Sequence, residues 1–240
     1  MSTPQKIILL FFAIGALWVL VASRDQEDLT FRLTVILDTP NGTKAGSSVL
    51  RAEMRRSNAI WRKVSAGNYF GSGSYRVVGE APVVDLGDGS FVFLPVRGWS
   101  NSEQVLRLVE HFLRGSPGGE GSRSPWWADA FPSARREGFT GTAEFDDLMY
   151  PPILVTFDDV RRPATARELK DAQNDATRAM SKSDIRFRIE VIESSEDLTE
   201  GFAERFPEIA SHDIFRRPSP TAQRGTDRAG TMSGRHFIRE

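Results

Sequence analysis

The chain has 240 residues, 40% of them hydrophobic and 26% charged, and its 31 Lys plus Arg nearly balance 32 Asp plus Glu. A formal charge of -1 creates no global field for nucleic acid or anionic lipid, which excludes sequence-independent phosphate binding as a default. The absence of cysteine excludes disulfide frameworks, thiolate nucleophiles and Cys-ligated zinc or iron–sulfur centres.

The most specific signal comes first in the chain. Ile7 to Ala22 (IILLFFAIGALWVLVA) carries no charge, follows Lys6, and leads into Arg24 and the acidic group Asp25, Glu27 and Asp28. At about 1.5 Å per helical residue the run spans ~24 Å, short of the ~30 Å hydrocarbon core and just above a signal-peptide core. Two readings stay open: an uncleaved transmembrane anchor over residues 1–24, or a signal peptide cleaved after Ser23. Val21-Ala22-Ser23 is a mediocre small-x-small site, whereas Trp18 suits an interfacial aromatic belt, and the anchor is the preferred reading. Lys6 and the amino terminus lie on one side, while Arg24 on the other is offset by three carboxylates. The positive-inside rule then keeps the short N-terminal flank cytoplasmic. In a Gram-negative cell this is a single-pass inner-membrane protein, membrane-bound through residues 7–22, with a periplasmic domain. Cleavage would instead give a secreted or periplasmic species.

The exported domain is expected over residues 28–210. Leu29, Phe31, Leu33, Val35 and Leu37 alternate with Thr30, Arg32, Thr34 and Ile36, the period-2 pattern of a half-buried strand. Asp38-Thr39-Pro40-Asn41-Gly42 then turns the chain into a second strand over Gly46–Arg56, giving a long β-hairpin. Residues Ser57–Ser74 lose the alternation and read as a loop. Tyr75–Leu86 and Ser90–Val96 form a second expected hairpin about Gly87-Asp88-Gly89, with Pro82 and Pro95 marking strand ends or edges. Ser100 and Glu103 make a capping-box pattern before Val105, Leu106, Leu108, Val109, Phe112 and Leu113, a helix ended by Gly115. Gly115–Pro125 is a flexible loop by composition, followed by an aperiodic aromatic stretch with Trp126, Trp127, Phe131, Phe139 and Phe145. Ile153–Phe157 reads as a short buried strand. Pro163, Thr165 and Glu168 open a weaker expected helix to about Met180, and Asp184–Glu193 alternates cleanly as an antiparallel strand. Residues 211–240, poor in apolar residues, are expected to be a disordered, mildly basic tail. The fold class is therefore α+β: mostly antiparallel β-hairpins with one or two packed helices, plus one N-terminal transmembrane helix.

The apolar N-terminal run, TFRLTVILDTPNGTKAGSSVLRAEMRR, YRVVGEAPVVDLGDG, PPILVTFDDVRRP and SDIRFRIEVIESSEDLTEGFAERFP together resemble an uncharacterised family of bacterial exported or membrane-anchored proteins. The resemblance covers about Thr30–Glu208. It implies an exported domain and brings with it no activity, cofactor or catalytic residue.

Chemistry is sparse. Of the three histidines, His111 lies on the expected helix and His212 and His236 in the tail, with no H-E-x-x-H or equivalent ligand spacing. Glu144, Asp146, Asp147, Asp158 and Asp159 bracket the ILVTF strand and could converge on a hard cation. Their spacing matches no calcium loop, and Arg161 and Arg162 sit beside them, so solvated turn charges are the preferred reading. No G-x-S-x-G, phosphate loop or dinucleotide fingerprint is present. Arg55-Arg56 with Trp61-Arg62-Lys63 mixes basic and aromatic residues, but compartment and overall charge oppose nucleic acid. No catalytic residue, cofactor or metal ligand is assigned. The candidate partner-contact surface is Trp126, Trp127 and Phe131. The leading reading is a non-enzymatic binding or accessory domain of the envelope, with an envelope protein as partner. The alternative is an envelope hydrolase or metal-assisted enzyme using the 144–159 carboxylates.

Overall fold

The computed structural model describes residues 24–57, 74–87, 89–97, 104–114, 133–169, 184–192, 196–211, 213–216, 231–233 and 237–239. Among them no helix is long and apolar enough to cross a membrane, and the apolar run at 7–22 lies outside the described residues. The architecture is mostly antiparallel β-sheet with a few short helices, as the sequence pattern predicts.

In chain order the strands are β1 (Arg24–Thr39), β2 (Gly42–Ser57), β3 (Ser74–Glu80), β4 (Val83–Asp85), β5 (Phe91–Phe93), β6 (Thr140–Glu144), β7 (Val155–Phe157), β8 (Ala166–Glu168), β9 (Ile185–Val191), β10 (Asp213–Arg216), β11 (Thr231–Ser233) and β12 (Ile238–Arg239). The helices are α1 (Gln104–Arg114), α2 (133–137), α3 (Phe202–Arg205) and α4 (Pro207–Ser211). A six-stranded sheet has the order β12-β3-β2-β1-β9-β6, a four-stranded sheet the order β4-β5-β7-β8, and β10 pairs with β11.

The chain divides into two compact units, residues 1–28 with 53–76, and residues 29–52 with 77–240. In the first, Arg76 Nε donates to the Glu53 carboxylate at 2.8 Å and Met54 is buried. The second holds the larger core. Leu29, Phe31, Leu33, Val35 and Leu37 are all buried, and so are Ile185, Phe187 and Ile189 of β9, whose register sets Phe31 opposite Val191 and Leu37 opposite Ile185. The intervening residues share the outward face in rows that run on into β6, with Thr34, Arg188 and Thr142 in one row and Ile36, Arg186 and Glu144 in the next. Arg32 there pairs with Glu190 at 3.2 Å and Glu196 at 2.9 Å, and Arg186 with Asp38 at 2.6 Å. Alternation of apolar and charged residues, read from sequence, thus corresponds to a true two-sided sheet.

The hairpin of β1 and β2 turns at Pro40-Asn41, with Gly42 at φ +104° and the Thr39 hydroxyl donating to the Gly42 carbonyl at 2.7 Å. Further along β2, Gly46 faces the backbone of β4, where a Cβ would fall 1.9 Å from the Val83 carbonyl oxygen. Only a residue without a side chain permits that approach.

Three elements depart from the sequence expectation. Tyr75–Leu86 is not one hairpin arm: it breaks at Ala81-Pro82, so that β3 joins the six-stranded sheet and β4 the four-stranded one. Pro82 cannot donate to a ladder, though its carbonyl still accepts from Leu94 N–H at 3.1 Å. The helix expected from Pro163 begins instead as a 3-10 turn (Pro163–Thr165) followed by β8, which pairs Ala166 with Phe157 and Glu168 with Val155. Pairing with the fully buried β7 outweighs the weak helical pattern there, and residues 170–183 lie outside the described set. Residues 211–240, expected as a tail, contribute β10, β11 and β12, and Phe237 is fully buried.

Phe237 enters a cluster with Ala81, Phe93, Val155, Phe157, Ala166, Phe202, Phe206 and Ile209. Phe93 sits at its centre, meeting Phe157, Phe202, Phe206 and Phe237 edge to face at centroid distances of 5.2, 6.0, 5.1 and 5.9 Å. Phe202, Phe206 and Ile209 follow helical spacing across α3 and α4, a pattern that sequence reading passed over because each helix is about one turn long.

Glu80 at the end of β3 accepts the Phe202 N–H at 2.7 Å, fixing the start of α3. Burial is the largest influence on its carboxyl and raises its pKa above the ordinary 4.5; Glu204 and Glu200 push the same way against hydrogen bonds from Phe202 and Gly201. The folded state therefore holds this proton more tightly than the unfolded chain. The stability it confers is complete below about pH 4.5 and is lost as pH rises through the raised folded value.

Two outcomes follow from this packing. Gly46→Ala should lower the urea midpoint, with a loss of about 1–3 kcal/mol from forcing a methyl into a filled backbone contact. Glu80→Gln keeps an acceptor for Phe202 without a charge, so its denaturation midpoint should exceed the parent's near neutral pH, the gap closing as pH falls to 4.5. A gap that is constant with pH would refute this account of Glu80.

Candidate functional site

Trp126, Trp127 and Phe131, the sequence-derived contact surface, lie outside the described residues. The described chain resumes just after them at α2, where Ala134 is buried and its carbonyl accepts from Gly138 N–H at 3.0 Å, with Gly138 at φ +68°. Phe139 O then accepts from Val191 N–H at 2.8 Å and delivers the chain into β6 beside β9. Helix α1 lies close: a Cβ on Gly141 would fall 2.9 Å from the Phe112 ring.

After β6 a 3-10 turn (Phe145–Asp147) leads through buried Leu148 to Met149 and Tyr150, whose exposures are 65% and 53%. Among the described residues these two are the large hydrophobic side chains left in solvent. They are not loose. Arg107 of α1 lies over the Tyr150 ring, its guanidinium carbon 4.9 Å from the centroid. Three positions earlier on the same helix, and so on the same side, buried Gln104 mimics a strand for the loop. Its Oε1 accepts from Ile153 N–H at 3.0 Å, and its Nε2 donates to Ile153 O at 3.3 Å and to Pro95 O at 2.5 Å. Gln104 thus ties down the loop's exit while Arg107 holds its aromatic tip, and exposed Met149 and Tyr150 follow acidic Glu144, Asp146 and Asp147 in the chain.

The five carboxylates lie on β6, in the 3-10 turn after it and in the turn between β7 and β8. Glu144, opposite Arg186, lies on the outward face of β6, and Asp146 and Asp147 are exposed in the 3-10 turn. Asp158 pairs with Arg167 at 3.1 Å. Asp159 closes the turn between β7 and β8: its Oδ1 accepts from Arg161 N–H at 3.0 Å, its own N–H donates to Thr165 Oγ1 at 3.2 Å, and Arg161 and Arg162 approach within 3.4 and 3.5 Å. The Arg161 backbone hydrogen bond is the main reason its carboxyl sits below the ordinary 3.8. Such a group is a turn-forming anion, with its proton affinity moved away from the range of a general acid at neutral pH. Among the described residues no group of three or more His, Asp or Glu side chains is placed to hold a metal ion. His111 is half-buried on α1 with its ring edge-on to Phe112 at 5.8 Å; His212 and His236 fall outside the described residues, as do Trp61, Arg62 and Lys63.

Sequence reading missed Gln104, Arg107 and Tyr150. Met149-Tyr150-Pro151-Pro152 has no period to mark it, and the pairing of a helix N-terminal Gln with a backbone far along the chain has no local signature.

Compared with models of protein families, with curated proteins and with solved structures, the chain matches none. The fold and site thus define a class only by their own features: an antiparallel β-rich domain that displays a pinned Met–Tyr loop.

Gln104→Ala should leave the Ile153 amide and two carbonyls without their partner and lower stability by about 1–3 kcal/mol. Amide exchange at Ile153 should accelerate by more than the global loss explains. Acceleration no greater than that of β1 would show that Gln104 does not hold the loop.

Proposed function

We propose that this chain is a single-pass bacterial envelope protein, anchored in the cytoplasmic membrane by residues 7–22, and that its periplasmic β-rich domain is a non-enzymatic binding or accessory module. The observation that carries the binding reading is the exposed Met149–Tyr150 pair, in a loop held by α1 at Tyr150 and Ile153. Exposed apolar side chains cost solubility, and holding Tyr150 against a helix side chain removes part of the ordering entropy of association. Tyr combines a large apolar ring with a polar tip, Met adapts to irregular surfaces, and both are enriched at protein contacts. Trp126, Trp127 and Phe131 are the second contact candidate of the proposal, read from the sequence, with an envelope protein as the partner. The anchor is supported by the uncharged run and its flanks, and by the resemblance to exported or membrane-anchored proteins of bacteria.

The test is intact-mass spectrometry of membrane and soluble envelope fractions, combined with protease added outside spheroplasts. A full-length mass in the membrane, with the domain digested from outside, is the expected result. A soluble species starting near Arg24 would replace the anchor with a cleaved signal, and protection from external protease would overturn export itself. For the surface, the double variant Met149→Ser, Tyr150→Ala should fold with a stability change within about 0.5 kcal/mol and lose site-specific photo-crosslinks made from position 147. Retained crosslinks would move the contact elsewhere.

A further inference from the structure

The segment 237–239 meets the domain in the way a bound peptide would. Its main chain adds to the edge of β3, with Ile238 opposite Glu80 and Arg239 opposite Gly79, and Phe237 O accepts from Ala81 N–H at 2.7 Å. Its one large anchor, Phe237, is fully buried, stacked on Phe202 at 5.6 Å with an interplanar angle of 18° and edge-on to Phe93 at 5.9 Å. Ile238 packs half-buried against the same cluster. Every wall of the slot comes from elements that precede the segment in the chain: Ala81 after β3, Phe93 on β5, Phe202 on α3 and Phe206 just beyond it. Among the described residues the strand before it, β11 (Thr231–Ser233), belongs to the two-stranded sheet with β10, so β12 pairs in a different sheet from its chain neighbour. Main-chain pairing along a sheet edge for affinity, with a pocket for one side chain for specificity, is the chemistry of strand addition.

We propose that the β3 edge and the phenylalanine slot form a peptide-acceptor groove for an extended Phe-Ile segment, and that residues 237–239 occupy it as a tethered ligand of the same chain. The tether supplies an effective concentration on the order of millimolar, so a free peptide of equal intrinsic affinity is held off until the tethered copy is removed. Glu80 lies at this junction, its carboxylate on the Phe202 N–H and its carbonyl accepting the Ser48 hydroxyl at 2.6 Å, so the groove floor is braced independently of the segment that fills it.

The experiment uses a fluorescein-labelled peptide of residues Ser233–Glu240 and the full chain carrying Phe237→Ala. The variant should bind the peptide saturably and at least about tenfold more tightly than the parent chain does, because the tethered competitor has lost its anchor. A peptide with alanine in place of its phenylalanine should not bind. Equal binding by variant and parent, or none by a variant whose circular dichroism matches the parent's, would overturn the proposal. Should Phe237→Ala fail to fold, a parent chain with a protease site inserted at Gly234 gives the same decision. After cutting, it should take up the labelled peptide while the uncut chain does not, and failure of the cut chain to do so would sink the groove.

Discussion

The close seating of Gly46 against the carbonyl of Val83 is the constraint on which the larger unit depends. A Cβ at that position would fall within 1.9 Å of a backbone oxygen, so β2 and β4 touch main chain to main chain. That contact joins the six-stranded sheet, to which β2 belongs, to the four-stranded sheet that starts with β4. It also explains the break at Ala81-Pro82. The chain leaves β3, loses a donor at Pro82, and reappears one sheet away with Val83 already against Gly46. The phenylalanine cluster then fills the space between β5, β7, α3 and α4, with Phe93 from the second strand of the new sheet at its middle.

The cluster has a physical character of its own. Edge-to-face aromatic pairs contribute about 0.5–1.5 kcal/mol each beyond area burial, and Phe93 takes part in four such contacts. Two one-turn helices would not persist alone. They persist here because Phe202, Phe206 and Ile209 are committed to the cluster and because Glu80 supplies an acceptor for the first free N–H. The ionisable group at that junction makes local order sensitive to pH as it rises, whereas Asp159, held below its ordinary value by the Arg161 N–H, loses its contribution only as pH falls through that lowered value. One carboxylate accepts at a helix start and the other closes a turn.

The Met149–Tyr150 loop illustrates how a surface can be both exposed and ordered. Gln104 and Arg107 stand one helical turn apart, and each grips a different part of the same loop, the first by two hydrogen bonds to Ile153 and the second by its guanidinium over Tyr150.

Sequence alone determined the elements whose signal is local. The alternation in Leu29–Leu37 and Ile185–Val191, the Pro-Asn-Gly turn, the amphipathic pattern over Val105–Leu113 and the apolar ILVTF run, whose Val155–Phe157 is the buried strand, all carry a local signal, because the period of the backbone is imposed on the side chains that must face the core. Tertiary structure decided what depends on partners distant in the chain. Residues 166–168 became strand because β7 offered a ladder, Tyr75–Leu86 split because Gly46 admitted Val83, and Gln104 became a clamp because Ile153 arrived beside it. Phe237 is the clearest case. In a stretch with little hydrophobic content one phenylalanine carries no period and no propensity, and only the slot formed by Phe93 and Phe202 makes it part of the core.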